Sequence, residues 1–379
     1  MYGKAIVIGA GWHPALFREE AQILADGVIQ IIHSHALAMS DVDATVLAKR
    51  SSLVSEIFSP GDITPLEDAH TIANKIATAF LSLKFSAQRI AVRAERTGEK
   101  PPGWSSREIA GLVGGHLVDA GWPIDLTNPE ITLRIHLLAP TKSKSYPSDI
   151  SAEPMVAWGI SNFEGDNWSE RTAPNRPFFK PISLDPKLAR AMVNLACPKS
   201  GNVLDPFCGT GGLLVESLIC GLDSYGSDLA WPMVTGTREN VEWIRQKIGD
   251  EAISEVRNGS ATELSEVWAD KVPFTSFVFD PPYGRNAWKS QDGFDLFKGT
   301  LQSCIDVATD TASLVTLLPW SPEMIGKSLD EGMSFGFPWP EVEKAFMDAG
   351  WSINATHTIR VHRSLARLLV IAENDTLPT

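Results

Sequence analysis

From about residue 183 onward, short apolar runs alternate with stretches whose apolar residues recur every three to four positions. The runs NVLDPF, SYGSDL, ISEVRNG, TSFVFDPP and SLVTLLP predict strands. Between and after them, DPKLARAMVNLA, GGLLVESLICG, VTGTRENVEWIRQKI, FDLFKGTLQSCIDVA and EVEKAFMDAG predict helices. Two further strands, SINATHTIRVH and LARLLVIAE, close the chain. Such alternation predicts an α/β fold with a mostly parallel, doubly wound sheet that binds ligands at the carboxyl ends of its strands.

The amino-terminal half has a different rhythm. Residues 1–57 predict a small α/β unit with a strand at 4–9 and a helix at 15–26. Residues 58–146 predict an α+β unit: a helix over 66–83, a strand in SAQRIAVRAER, a capped helix in SSREIAGLVGGHLVDAG and a strand in EITLRIHLLA. Residues 147–182, rich in Pro, Ser, Asn and Trp and without periodicity, are expected to be linker or irregular cover before a domain spanning 183–379. The opening KAIVIGAGWHPALF has the look of a dinucleotide fingerprint, but Pro14 stands where its third glycine belongs, and the cofactor reading fails there.

Composition adds limits. With 379 residues and 44% hydrophobic content, the chain can build two or three cores. No apolar run approaches the roughly 18 to 20 residues of a membrane helix, so a soluble, cytoplasmic protein is expected. Cys197, Cys208, Cys220 and Cys304 form no CxxC pair, which suggests neither a metal knuckle nor a disulfide framework. The net charge of −13 argues against nucleic acid at first sight, yet Lys75 to Lys144 holds ten Lys or Arg against six Asp or Glu. A basic module is embedded in an acidic chain.

Two motifs carry chemistry. In VLDPFCGTGGLLVESL a strand delivers Asp205 to the sheet edge, and Gly209-Thr210-Gly211-Gly212 lets backbone approach a ligand before a helix begins. In the next unit YGSDL ends a strand at Asp228, where an acid can accept both hydroxyls of a ribose. These acids on successive strands imply an adenosine-containing cofactor. The fourth strand ends in DPPYG. An aromatic exocyclic amine is a poor nucleophile because its lone pair is delocalised, and acceptors that grip both N–H groups expose that lone pair to a methyl donor. Asp280 supplies a carboxylate and Pro281 a carbonyl, Pro281 and Pro282 stiffen the turn, and Tyr283 can stack on a flipped base.

These residues resemble the class I, Rossmann-like S-adenosylmethionine-dependent methyltransferases that modify exocyclic amines. RPFFKPISLDPKLARAMVNLA, DPPYGR and RVHRSLARLLVI are similar to the tRNA guanine-N2 methyltransferases, most closely those acting on guanosine 10. In that family a ferredoxin-like unit and a tRNA-binding THUMP domain precede the catalytic domain; FSAQRIAVRAER, SSREIAGLVGGHLVDAG and IDLTNPEITLRIHLL are similar to THUMP and coincide with the basic segment. The resemblance implies Asp205, Phe207, Cys208, Gly209, Thr210 and Gly211 around the methionine and ribose of S-adenosylmethionine, Asp228 on the ribose hydroxyls, Leu229 on adenine, and Ser260 and Ala261 at adenine N6. It implies tRNA as partner and leaves a small protein subunit open. N2-guanine methylation at another tRNA position, DNA adenine-N6 methylation, protein glutamine methylation and silent tRNA binding are the alternatives. Trp158, Trp168 and Trp288 are candidates for stacking on RNA, core packing standing beside that reading; Arg176, Lys180, Arg285 and Arg363 are expected phosphate contacts, and His357 and His362 structural histidines.

Overall fold

The structure is a computed structural model that describes residues 5–9, 12–25, 28–40, 44–139, 153–161, 163, 165–181, 183–249, 251–282 and 291–375. The chain divides into two compact units, Met1–Gly165 and Asp166–Thr379.

The first unit opens with β1 (Ala5–Gly9), α1 (Pro14–Leu24), β2 (Val28–His33), β3 (Ala36–Ser40), α2 (Thr45–Arg50) and β4 (Val54–Phe58). Their βαββαβ order and antiparallel sheet, β2-β3-β1-β4, are those of a ferredoxin-like unit. Pro14, which breaks the glycine fingerprint, is the first residue of α1, where a missing N–H costs nothing. His13 caps that helix, its Nδ1 accepting from Leu16 N at 3.0 Å.

A second sheet follows in the same unit. It comprises β5 (Gly61–Pro65), α3 (Ala69–Ser82), β6 (Ile90–Thr97), α4 (Ser106–Asp119), β7 (Ile131–Leu138) and β8 (Met155–Ile160), with strand order β5-β8-β7-β6. Asp68 caps α3 and Ser105 caps α4 through their side-chain oxygens. β8 corrects the expectation of irregular cover after residue 146. Its sequence MVAWGI buries Val156, Ala157 and Trp158 between β5 and β7, so Trp158 is core and offers no face to RNA. His33, His35 and His136 are buried in this unit, and burial above all holds each imidazole down at about 4; His35, His136 and Arg18 add to this at His33, Arg18 at His35, and Arg134 and His35 at His136, where Glu95 opposes it.

The second unit contains α5 (Pro186–Ala196), β9 (Asn202–Asp205), α6 (Gly212–Ile219), β10 (Asp223–Asp228), α7 (Trp231–Ile248), β11 (Ser254–Asn258), α8 (Leu264–Val267) and β12 (Phe274–Phe279). It continues through α9 (Gln291–Ile305), β13 (Ala308–Trp320), the hairpin β14 (Met333–Ser334) and β15 (Phe337–Pro338), α10 (Trp339–Asp348), β16 (Trp351–His362) and β17 (Leu365–Asn374). Seven strands form one sheet in the order β11-β10-β9-β12-β13-β17-β16. The first five are parallel, and β17 runs antiparallel between β13 and β16. The order reverses between β9 and β12, which makes their carboxyl ends the place for a ligand. One apolar cluster joins β12, β13 and β17 to α9 and α10 through Phe277, Leu314, Phe297 and Phe346. Another joins α6 to α7 through Leu214, Val215, Val234 and Ile244.

Residues 166–181, also expected to be irregular cover, are anchored to this unit by charge. Arg171 donates to Glu216 Oε1 at 2.8 Å and to Asp166, while Arg190 Nη2 lies 2.7 Å from Glu216 Oε2. Trp168 lies across the guanidinium groups of Arg171 and Arg190 at 4.8 and 5.5 Å.

Candidate active site

Three neighbouring parallel strands each present an acid at their carboxyl end: Asp228 closes β10, Asp205 closes β9, and Asp280 follows β12. A cavity of about 450 Å³ lies over these ends. Asp205, Phe207, Cys208, Gly209 and Thr210 line it, with Asp228, Leu229, Ser260, Ala261, Asp280, Pro281 and Pro282. Thus the residues singled out in sequence from four separate segments share one wall. Gly211 stands just behind as the N-cap of α6, and Tyr283 lies outside the described residues, as do Arg285 and Trp288.

The glycine loop is shaped by hydrogen bonds and by backbone that few residues adopt. Gly209 and Gly211 have φ of +50° and +74°. A Cβ on Gly211 would come within 2.7 Å of Thr237 Cγ2. Thr237 Oγ1 donates to Gly209 O at 2.8 Å, and Asn240 Nδ2 donates to Thr210 O at 2.8 Å and to Phe178 O at 2.7 Å. Thr237 and Asn240 were not anticipated as supports. Their signal was two polar residues three apart on the buried stripe of α7, among Val234, Val241 and Ile244.

Asp228 joins the two loops. Its Oδ2 accepts from Gly209 N at 3.0 Å and its Oδ1 from Ala230 N at 2.8 Å. Asn258 at the end of β11 donates to the carbonyls of Asp228 and Leu229, both at 2.9 Å. Leu229 is left 78% exposed, an apolar surface at the cavity wall. Ser260 exchanges a hydrogen bond with Thr262 Oγ1 at 2.9 Å, so its hydroxyl is already engaged locally.

Asp205 is buried, and this desolvation pushes its carboxyl well above the usual range. Phe207 N–H, donating to Oδ1 at 3.0 Å, pulls the other way, and the charges of Asp228 and Asp280 push up again. Burial, then Asp205 and Asp228, likewise raises the Cys208 thiol, which keeps it protonated and makes it wall rather than nucleophile. Asp280 is partly exposed, and Arg367 from β17 reaches within 3.9 Å of its Oδ1. Arg367, Ser183, Leu184, Met233 and Leu296 also line the cavity; Arg367, Ser183 and Leu184 stand within the family-like segments 360–371 and 176–196 but were given no role there, and Met233 and Leu296 lie outside every motif.

Arg176 corrects an expectation. It is buried rather than offered to phosphate, with Nε donating to Arg171 O at 2.7 Å and its guanidinium packed against Gly212. Lys180 lines the cavity, and Arg363 is exposed in the turn between β16 and β17. Among the described residues no group of His, Cys, Asp and Glu is placed to hold a metal ion, and no helix is long and apolar enough to cross a membrane.

A doubly wound sheet in the order 3-2-1-4-5-7-6, with paired acids, a glycine loop and a DPP turn at its switch point, defines the methyltransferase class of fold. Comparison with known proteins agrees. Residues 174–325 match the UPF0020 family model, described as an RMKL-like methyltransferase domain, and the chain carries this domain in its second unit. It is 25% identical over 371 residues to the tRNA (guanine(10)-N2)-dimethyltransferase of Methanothermobacter thermautotrophicus, covering 95% of this chain and 96% of that one. It is 32% identical over 201 residues to the enzyme of the same name from Pyrococcus abyssi, covering 53% of this chain and only 55% of the relative's length. Archaeal tRNA (guanine(10)-N2)-dimethyltransferases are therefore its homologues. Among solved structures, TrmN from Thermus thermophilus shares the fold, with a TM-score of 0.52, 18% identity and coverage of 98% of this chain and 99% of that one.

Proposed function

We propose that this chain methylates the exocyclic N2 amine of guanosine in tRNA, at guanosine 10, using S-adenosylmethionine. The observation that carries the reading is the meeting of Asp280-Pro281-Pro282 with the Asp205, Asp228 and glycine loops in one cavity. Kinship along nearly the whole chain supports tRNA as the substrate.

The residues fit that cofactor. Three acids on the wall, against Lys180 and Arg367, suit a ligand bearing a cationic centre, and the glycine turn gives close backbone approach where a side chain at 211 would strike Thr237. When bound, S-adenosylmethionine supplies a methyl group activated by sulfonium charge. The Asp228 carboxylate, already fixed by two N–H groups, would accept from ribose hydroxyls with its remaining lone pairs, Leu229 would cover the adenine, and the 205–211 loop would hold the methionine end. Asp280 and the Pro281 carbonyl would accept the two N–H groups of guanine N2 and orient its lone pair. Pro281 and Pro282 bring no N–H to compete for these acceptors. Once alkylated the amine becomes acidic, and its proton passes to the Asp280 carboxylate. Catalysis thus rests on positioning and on gripping the amine.

The amino-terminal unit serves this site as the tRNA-binding part. Residues 58–146 act as the THUMP-like module after a ferredoxin-like segment at 1–57, and the ten Lys or Arg against six Asp or Glu between Lys75 and Lys144 support binding to the phosphate backbone. Catalysis belongs to residues 183–379, in a cytoplasmic enzyme. The test is incorporation of labelled methyl into unmodified tRNA followed by nucleoside digestion. N2-methylated guanosine is expected, and its loss when guanosine 10 is replaced by adenosine; transfer to any other position or nucleoside contradicts the assignment.

A further inference from the structure

Arg367 is a basic side chain on the wall that already holds Asp280, and it comes from an element outside both sequence motifs. β17 runs antiparallel to β13, so its first residues lie at the same sheet edge as the ends of the parallel strands, with Arg367 paired to Pro319 and Ile359. Ala366 and Leu368 enter the apolar core, and the alternation of the strand puts Arg367 on the opposite face. There its Nε lies 3.9 Å from Asp280 Oδ1, with a side chain only 15% exposed.

The electrostatic surroundings give this pair a task. Asp205 on β9 faces Asp280 closely enough for the two charges to oppose each other. Asp228 lines the same cavity from β10, and Lys180 lines it from the segment before α5. Gathered carboxylates favour protonation, and a protonated Asp280 would donate rather than only accept, losing its hold on an amine. Among the described residues, Arg367 is a cation within 4 Å of it.

We infer that Arg367 is a positioning residue: its guanidinium holds the Asp280 carboxylate charged and in one orientation, so that the carboxylate grips the target amine. The inference deepens the methyl-transfer reading and rests on it for its consequence. The pair itself is tested without substrate.

Protein labelled with ¹³C at aspartate carboxyls is titrated by NMR, with the Asp280 resonance assigned by its loss in Asp280→Asn. In Arg367→Gln the Asp280 midpoint is expected to rise by about one pH unit or more, and to return in Arg367→Lys. Arg367→Met serves as a second neutral variant should glutamine disturb β17. An unmoved midpoint in the folded neutral variants overturns the inference, whatever the substrate proves to be. With tRNA, the acid limb of the kcat profile is expected to move by the same amount in Arg367→Gln while cofactor Kd stays within about threefold. A fall in kcat with an unshifted limb, unrescued by lysine, assigns Arg367 to packing and overturns the role.

Discussion

Gly209 N–H donates to Asp228 Oδ2 at 3.0 Å, so the acid that ends β10 also sets the conformation of the glycine loop that follows β9. The two sequence motifs are one structural device. A ligand that engages either loop meets a surface already fixed by the other.

Asp228→Ala removes an acceptor for two backbone N–H groups, those of Gly209 and Ala230, together with the expected contact to ribose. Charge-assisted hydrogen bonds are worth about 1.5 to 3 kcal/mol each, so S-adenosylmethionine affinity measured by calorimetry is expected to fall by about 100-fold or more. A loss below threefold contradicts the assignment.

Gly211→Ala separates backbone strain from space. Both Gly209 and Gly211 have positive φ, which costs an L-residue roughly 1 kcal/mol or more, but only at 211 would the new methyl strike Thr237. Gly211→Ala is expected to lower both melting temperature and cofactor affinity more than Gly209→Ala. Equal effects would show that Thr237 yields freely.

Glu216 is buried between Arg171 and Arg190, with 2.8 and 2.7 Å contacts. Its removal leaves two guanidinium groups short of their shared counter-charge, at a cost of about 3 to 5 kcal/mol. Thermal unfolding of Glu216→Ala is expected about 10 °C below wild type; a shift under 2 °C would mean that Asp166 and the Trp168 ring suffice.

The three buried histidines give the first unit an acid sensitivity. Their folded values of about 4 lie below the ordinary 6.5, so the unfolded chain takes up protons first as pH falls. Their contribution is present above pH 6.5 and is lost progressively down to about pH 4. A single shift of this size corresponds to roughly a 300-fold change in an equilibrium. Hydrogen-exchange protection of β3 and β7 amides, corrected for intrinsic rates, is expected to fall through this window, and to fall less in His33→Gln. Flat protection factors would refute the linkage.

The strands and helices after residue 183 were legible because each carries its period locally, and the DPF…GTGG, SDL and DPP segments were legible because turn chemistry needs those residue types in order. What escaped was fixed by tertiary contact. MVAWGI is too short to announce itself within a Pro- and Ser-rich stretch, yet it fills the gap between β5 and β7. Arg176 looked like a surface cation because sequence cannot show α6 lying over it. Arg367 stood inside the family-like segment RVHRSLARLLVI, but its place at the site comes from the antiparallel insertion of β17, a fact of topology that no local pattern shows.

The most direct measurement compares wild type with Asp280→Ala in single-turnover methyl transfer to unmodified tRNA, with cofactor Kd determined on the same preparations. Loss of the acceptor is expected to slow transfer by about 100-fold or more while Kd changes by less than about threefold. Transfer at the wild-type rate would contradict the role of Asp280 as the group that grips the amine.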